Sequence, residues 1–337
     1  MYHRNTRNSN PIIMTQSDYT LTPKGRFAPS PSGRMHLGNL FSALISWLSV
    51  KSRGGNWVLR IEDLDPGRSR QQHADRIMSD LEWLGLTWDE GPYYQSRRHD
   101  LYAEALRSLE ATGLTYPCYC TRADIMATQA PHQSDGRIVY PGTCRPPHRD
   151  STCLLPHQDS TNFAPHRLST GRKPSTRLMV EDADITFDDL FMGPHTYNLA
   201  RECGDFILRR ADGAWAYQLA VVVDDADMGI TEIVRGNDLL LSAAQQTYLY
   251  RLLGHRAPRF AHVPLLCNHA GQRLSKRDAS LSLDILRDTG AATPESILGR
   301  LAHLAGLLPQ PTPIPAADLL PLYTPARICS LPTSVIV

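Results

Sequence analysis

The feature that most constrains the fold is an alternation of strand-like and helix-like runs near the N-terminus. The runs are, in chain order, a strand at 21–28, a helix at 37–51, a strand at 56–65 and helices at 69–84 and 96–112. Pro29 and Pro31 end the first strand, and the second, "NWVLRIEDLD", is apolar until it ends in acids. Because strands that alternate with helices pair in parallel, the pattern predicts an α/β fold with a parallel sheet.

The chain changes character near residue 115. Residues 131–175 are rich in Pro, His, Ser and Thr and have little apolar periodicity, which is typical of an inserted module or a long loop. Regular patterns return at about 176, with strand-like and helix-like runs over 205–268. These shifts predict five divisions: a disordered leader at 1–20, the first half of the α/β domain at 21–114, an insertion at 115–200, the second half of the domain at 201–268, and a loop with a short helical, proline-rich tail at 269–337.

Composition and charge restrict the function classes. The formal net charge of the 337 residues is +1, so a contact with nucleic acid must come from a local basic patch. No apolar run reaches the ~20 residues of a membrane span. The N-terminal segment lacks the apolar core and cleavage site of a secretory signal. We therefore expect a cytoplasmic protein that makes no membrane contact.

The turn before the first helix has the features of a phosphate site. "RFAPSPSGRMHLGN" (26–39) places His36 and Gly38 at the helix start. A helix N-terminus has unpaired N–H groups and a partial positive charge, which attract phosphate. Gly38 lets a ligand approach the backbone because it has no Cβ. The same residues are also compatible with a plain strand, turn and helix cap.

A second segment, "AGQRLSKRD" (270–278), places Arg273, Lys276 and Arg277 after a predicted strand. By itself it is typical either of a solvated basic loop or of a loop whose lysine neutralises a transferring phosphoryl group. Together the two segments resemble the HIGH and KMSKS signatures of class I aminoacyl-tRNA synthetases. The resemblance covers about residues 24–290 and implies a Rossmann-like catalytic domain. Arg273 and Arg277 depart from KMSKS at its first and last positions.

The resemblance is strongest to the glutamyl branch of that class, through "RFAPSPSGRMHLGN" and "LRIEDLD". A glutamate site needs two cationic groups and one anionic group, and Arg suits a carboxylate because it donates two parallel hydrogen bonds. The resemblance assigns the α-ammonium to Glu62 and the α-carboxylate to Arg235. It assigns the side-chain carboxylate to Arg26 and Tyr217. The implied sets are Arg26, Ala28, Ser30, Glu62, Tyr217 and Arg235 for glutamate; His36, Gly38, Asn39, Ser275 and Lys276 for ATP; and His36, Gly38 and Lys276 for catalysis.

Three of the seven cysteines are close together in the sequence, at Cys118, Cys120 and Cys144. Without an export signal, this grouping indicates a metal site, and thiolates suit tetrahedral Zn²⁺. Three reduced, buried cysteines are the alternative. The residues near enough to supply a fourth ligand are Tyr140, His132, His148, Cys153 and His157. The resemblance to the zinc-binding insertion of some glutamyl synthetases implies one structural Zn²⁺ with the Tyr140 oxygen as fourth ligand. The basic residues of this region, which suit RNA phosphates, are Arg137, Arg145, Arg149, Arg167, Arg172 and Lys173.

The segment after Lys276 is short. Residues 277–337 leave room for a small helical piece but not for an anticodon-binding domain, so none is expected. The chain therefore resembles glutamyl-Q tRNA(Asp) synthetases, truncated paralogues of the glutamyl enzymes. This resemblance implies a monomer that activates L-glutamate with ATP and Mg²⁺, without tRNA, and transfers glutamate to queuosine in the anticodon stem-loop of tRNA(Asp). Two alternatives stay open: a short synthetase that charges the 3′ end of tRNA(Glu), and a catalytically silent, zinc-containing RNA-binding paralogue.

Overall fold

The computed structural model describes residues 22–127, 139–147, 171–274, 283, 287 and 292–337. The strands are β1 (Lys24–Phe27), β2 (Asn56–Ile61), β3 (Glu90–Tyr94), β4 (Thr115–Cys118), β5 (Ser175–Leu178), β6 (Asp184–Asp189), β7 (Gly193–Asn198), β8 (Phe206–Arg209), β9 (Glu232–Gly236), β10 (Arg259–Val263), β11 (Leu265–Cys267) and β12 (Ser334–Ile336). The helices are α1 (Leu37–Lys51), α2 (Gln71–Trp83), α3 (His99–Ala111), α4 (Arg122–Ala127), α5 (Leu199–Glu202), α6 (Tyr217–Asp227), α7 (Leu240–Leu252), α8 (Pro294–Leu304), α9 (Ala316–Leu319) and α10 (Pro325–Cys329).

A five-stranded parallel sheet forms the centre of the molecule, in the order β10-β9-β1-β2-β3. The chain builds outward from β1 through β2 to β3, and then returns to the other side of β1 through β9 and β10. The strand order therefore reverses between β1 and β9. In open α/β sheets, ligands bind in the crevice at the carboxyl ends of the strands where this reversal occurs. The predicted α/β fold is confirmed, and its topology places a binding crevice beside β1 and β9.

Helix α1 is the most deeply buried helix against this sheet. Its apolar stripe, which includes Leu37, Leu40, Phe41 and Leu44, is fully buried in the main core. Gly25 of β1 allows the close contact, since a Cβ there would lie 2.5 Å from a methyl group of Val50. The helix N-terminus is thereby fixed at the carboxyl end of β1.

The insertion contains a separate three-stranded antiparallel sheet, β4-β5-β8, and the hairpin β6–β7. Its small core contains Cys118, Cys144 and Tyr140. Strand β8 extends this sheet past residue 200, the predicted end of the insertion. The hairpin brings Asp189, at the end of β6, against the edge strand β10 of the parallel sheet.

The C-terminal helices α8 to α10 pack on the main core rather than forming a unit of their own. Helix α8 begins at a capping box in which Thr293 and Ser296 bond each other, and Ile297 and Leu301 pack into the core around α1. Beyond the proline-rich stretch, β12 pairs in parallel with β11. Among the described residues, no helix is both long and apolar enough to cross a membrane.

Candidate active site and metal centre

A cavity of about 510 Å³ opens at the carboxyl ends of β1 and β9. The predicted glutamate- and ATP-binding residues that the structure describes all line it: Arg26, Ala28, Ser30, His36, Gly38, Asn39, Glu62, Tyr217 and Arg235. The remaining two, Ser275 and Lys276, lie outside the described residues. Residues as distant in sequence as Arg26 and Arg235 thus meet in the crevice where the strand order reverses.

His36 caps helix α1 at the wall of the cavity. Its Nδ1 accepts a hydrogen bond from the Gly38 N–H at 3.1 Å, and its own N–H donates to Asn39 Oδ1 at 3.2 Å. Because Nδ1 is an acceptor, the neutral ring carries its proton on Nε2. A Cβ on Gly38 would lie 3.0 Å from the imidazole, so glycine leaves room for this ring position. The helix cap and the predicted phosphate site are therefore the same residues.

Buried ion pairs hold Arg26 and Glu62 in the cavity wall. Arg60 is fully buried, with Nη1 2.7 Å from Asp225 Oδ1 and Nη2 3.3 Å from Glu62 Oε1. Arg26 Nε lies 3.5 Å from the same Asp225 oxygen, and its Nη1 donates to Val234 O at 3.3 Å. Asp225 thus fixes two guanidinium groups, one facing the cavity and one behind it.

The Glu62 carboxyl group occupies a poorly hydrated position, with its side chain 10% exposed. Burial raises the pKa of Glu62 above its ordinary value, although Arg60 and Arg26 act in the opposite direction. A cationic group of a ligand would stabilise the ionised carboxylate and lower this pKa. The position is therefore suited to an ammonium group.

Arg235, only 6% exposed, is held by neutral partners. Its Nε donates to His262 Nε2 at 3.1 Å, its Nη1 to Gln246 Oε1 at 2.8 Å and its Nη2 to Leu239 O at 3.3 Å. Tyr217 Oη lies 3.5 Å from Nη1 at the cavity surface. No carboxylate of the described residues forms an ion pair with Arg235, and burial lowers the pKa of its guanidinium. A buried guanidinium with donors facing a cavity is a site for an anionic ligand.

Several residues that shape the cavity are not among those predicted. Asp224 and Asp225 are fully buried on α6, and their position in the apolar run "LAVVVDDAD" is the sequence signal that could have identified them. Asp238 and Arg273 line the cavity and form an ion pair. Arg273, which departs from the first position of the KMSKS signature, is therefore paired with Asp238 in the cavity wall.

The three predicted cysteine ligands come together in space. Their sulfur atoms all lie within 4.8 Å of one another, and the Cys120 and Cys144 sulfurs are 3.6 Å apart. A tetrahedral Zn²⁺ with Zn–S bonds of about 2.3 Å requires sulfur–sulfur distances of about 3.8 Å. Burial opposes ionisation of Cys118, but Tyr140 and Arg177 lower the pKa of its thiol. The cluster fits a thiolate-bound metal.

Tyr140 lies beside this cluster. Its Oη is 3.3 Å from Cys118 Sγ and 3.9 Å from Cys120 Sγ, and it accepts the Cys144 N–H at 2.8 Å. The Arg177 guanidinium covers its ring at 3.8 Å. Burial and the hydrogen bond with Cys118 raise the pKa of the Tyr140 phenol, whereas the Cys144 N–H lowers it. The geometry is compatible with Tyr140 as a fourth ligand. The competing residues His132, His148, Cys153 and His157 lie outside the described residues.

The basic residues around the metal centre differ in their surroundings. Arg145 donates to Asp205 Oδ1 and to Val180 O, each at 3.0 Å, so it connects parts of the insertion. Arg172 and Lys173 are exposed. The others, Arg137, Arg149 and Arg167, lie outside the described residues.

Comparisons with known proteins all identify tRNA synthetases as the relatives of this chain. The family model for the catalytic domain of class I tRNA synthetases (E and Q) matches residues 24–310. The glutamyl-Q tRNA(Asp) synthetase of Symbiobacterium thermophilum is 46% identical over 325 residues, which cover 92% of this chain and 95% of that protein. The protein of the same name from Nitratidesulfovibrio vulgaris is 43% identical, over 92% of this chain and 94% of that protein.

Among solved structures, the glutamate tRNA ligase of Elizabethkingia meningosepticum, in complex with its amino acid, has a similar fold. The two structures superpose with a TM-score of 0.74 at 26% identity. The match covers 91% of this chain and 66% of that one.

Proposed function

The chain belongs to the glutamyl and glutaminyl family of class I tRNA synthetases, and we propose that it activates L-glutamate with ATP and transfers the glutamyl group to queuosine at the wobble position of tRNA(Asp). The observation that carries the proposal is the charge arrangement of the cavity. It presents Arg26 and Arg235, which suit two carboxylates, together with Glu62, which suits an ammonium group. The names of the most similar relatives support the acceptor.

The geometry favours a revised allocation of the glutamate-binding residues. Tyr217 Oη lies 3.5 Å from Arg235 Nη1, so we assign these two side chains to one ligand carboxylate. Burial raises the pKa of Glu62, and the charge of Arg26 opposes this rise. Arg26 and Arg60, the arginine that contacts Glu62, both form an ion pair with Asp225. Since the ammonium and α-carboxylate of an amino acid are bonded to one carbon, Glu62 and Arg26 suit the α-groups. Arg235 and Tyr217 then bind the side-chain carboxylate, the reverse of the sequence-based assignment.

Activation joins the α-carboxylate to ATP. A carboxylate oxygen attacks the α-phosphorus, the bond to the β-phosphate oxygen breaks, and pyrophosphate leaves with Mg²⁺ as its counterion. The Nε2–H of His36 donates to a phosphate oxygen, and Gly38 and Asn39 shape the helix start beneath it. Ser275 and Lys276, assigned through the family signature, complete the phosphate site.

Zn²⁺ is proposed for the cluster of Cys118, Cys120, Cys144 and Tyr140, where a closed ligand set makes it structural. Bound zinc would tie the loop at 139–147 to β4 and so fix the surface of the insertion.

The glutamyl-adenylate formed in the cavity then reacts with a hydroxyl of queuosine, and AMP leaves. A tRNA acceptor favours a location in the cytoplasm, and the anticodon stem-loop of tRNA(Asp) is the proposed partner.

The test is glutamate-dependent ATP–pyrophosphate exchange without tRNA, followed by transfer of labelled glutamate. We expect exchange without tRNA, and transfer to tRNA(Asp) that contains queuosine but not to the same tRNA lacking it. Exchange that requires tRNA(Glu), with label at its 3′ end, would instead establish a short glutamyl-tRNA synthetase. Absence of exchange under both conditions would overturn the proposal and favour the silent RNA-binding paralogue.

A further inference from the structure

Arg235 is the end of a buried chain of three polar side chains that starts outside the cavity. Asp189 Oδ2 lies 2.5 Å from His262 Nδ1, and His262 Nε2 accepts from Arg235 Nε at 3.1 Å. Asp189 and His262 do not line the cavity, and both are buried. We propose that Asp189 and His262 are positioning residues that orient the Arg235 guanidinium for the side-chain carboxylate of the amino acid, which rests on the function proposed above.

The fold dictates this alignment. Strands β9 and β10 pair in parallel with Arg235 directly opposite His262, so the two side chains lie on the same face of the sheet. The β6–β7 hairpin packs on β10 and places Asp189 behind the imidazole. Three elements that are distant in the sequence therefore converge on one guanidinium.

The hydrogen bonds define the tautomer of His262. Arg235 Nε can only donate, so His262 Nε2 must be the acceptor and the ring proton must lie on Nδ1, facing Asp189. Burial lowers the pKa of His262 and keeps the ring neutral, despite the opposing influence of Asp189. The Asp189 carboxylate selects this tautomer, because it accepts but cannot donate when ionised.

Backbone hydrogen bonds fix the orientation of the Asp189 carboxylate. Its Oδ1 accepts three backbone N–H groups, from Phe191, Met192 and His262, each at 3.0 Å. Only Oδ2 is left for the imidazole. The carboxylate is thus fixed on one side by the backbone and presents a single acceptor on the other.

These contacts make Asp189→Asn a specific probe. The amide oxygen must take the Oδ1 position to accept the three N–H groups, so the NH₂ group faces His262 Nδ1. The ring proton then moves to Nε2, where it opposes the Arg235 Nε–H. The variant keeps the size of the side chain and inverts the tautomer, which displaces the guanidinium.

The experiment compares Asp189→Asn and His262→Gln with the wild type in ATP–pyrophosphate exchange. We expect Asp189→Asn to raise the KM for glutamate roughly 10-fold or more, with the KM for ATP unchanged and a smaller preference for glutamate over glutamine. His262→Gln keeps a hydrogen-bond acceptor near the Nε2 position. This variant should therefore keep much of the wild-type affinity for glutamate. The matched control is Asp205→Asn, which alters a buried carboxylate of the insertion that bonds Tyr116, Arg145 and the Val180 N–H.

A second readout is independent of activity. Nitrogen-15 spectra of the histidine-labelled full chain, with His262 assigned by its absence in His262→Gln, should show a protonated Nδ1 and an unprotonated Nε2. The proposal is overturned if His262 has the other tautomer, or if an active Asp189→Asn variant matches Asp205→Asn in its glutamate KM and selectivity. A wild type that catalyses no exchange would instead overturn the proposed function, while the spectrum still reports on the orientation of Arg235.

Discussion

At the scale of single residues, Glu62 combines its proposed role in binding the ammonium group with a cost in the stability of the folded protein. Its pKa is raised in the folded protein, so the folded state holds this proton more tightly than the unfolded state. The associated stability is present at low pH and is lost as the pH rises through the folded pKa. We predict that Glu62→Gln raises the melting temperature at neutral pH, that the difference shrinks on acidification, and that the glutamate KM increases at least roughly tenfold.

Thermal unfolding and exchange kinetics between pH 4 and 8 measure these two effects, with Asp63→Asn as control. Asp63 is the next carboxylate in the chain, but it bonds Ser96 and does not line the cavity. A Glu62→Gln variant that is less stable than wild type at neutral pH would contradict the prediction, because it would mean that the pairing with Arg60 outweighs burial.

In the proposed site, Arg235 and Arg26 bind different carboxylates of the glutamate ligand. Arg235→Lys keeps the charge but loses the planar arrangement of donors, at a cost of about 2 kcal/mol, or roughly 30-fold in glutamate affinity. We predict that it also weakens discrimination between glutamate and glutamine in the exchange assay. Arg26→Lys should weaken both amino acids alike, since both carry the same α-groups. The opposite pattern would restore the sequence-based allocation, with Arg235 on the α-carboxylate.

The sequence predicts the residues that face the cavity better than those that support them. Arg26, Glu62 and Arg235 lie in segments that resemble family signatures, so their residue types are informative without coordinates. His262 and Asp189 acquire their role only through the register of β9 with β10 and the packing of the hairpin. No local pattern encodes a contact between strands that are separated by a helix.

At the scale of elements, the residues that cap α1 are also those of the proposed phosphate site. Gly38→Ala places a methyl group 3.0 Å from the His36 ring and turns its Nε2–H away from the cavity. We predict that kcat for exchange falls roughly 10- to 100-fold while the glutamate KM changes little, because the proposed ligand of His36 is a phosphate oxygen of ATP. Ala is also a better helix former than Gly, so the melting temperature should not fall by a comparable amount. Equal losses in stability and activity would show that His36 is only a cap.

Helices and strands with strong periodicity are where sequence and structure agree most closely. The predicted helix at 37–51 coincides with α1, because its apolar stripe is long and glycines follow it. Within the strand-like and helix-like runs predicted over 205–268, the last strand is divided into β10 and β11 at Pro264, which cannot donate a ladder hydrogen bond. Strand β12 was not predicted, since three residues with no alternation form a strand only because β11 lies beside them.

At the scale of the whole molecule, the cavity and the cysteine cluster belong to different sheets. The cavity lies on the parallel sheet and α1, whereas the cysteine cluster belongs to the antiparallel sheet of the insertion. None of the cluster residues lines the cavity. Chemistry on glutamate and ATP therefore depends on one part of the described structure, and the shape of the insertion on the other.

This separation predicts the effect of removing the proposed Zn²⁺. Chelation, or Cys144→Ser, should lower the melting temperature and abolish transfer to tRNA, while exchange without tRNA persists at roughly half or more of its rate. Burial and the neighbouring thiols raise the pKa of Cys120 to about 11, so acid should release the metal as protons compete for the sulfurs. Metal analysis beside both assays tests this, with exposed Cys329→Ser as the matched control. Exchange that falls in step with zinc content would mean that the insertion holds the cavity in shape, and the two sheets would then act as one unit.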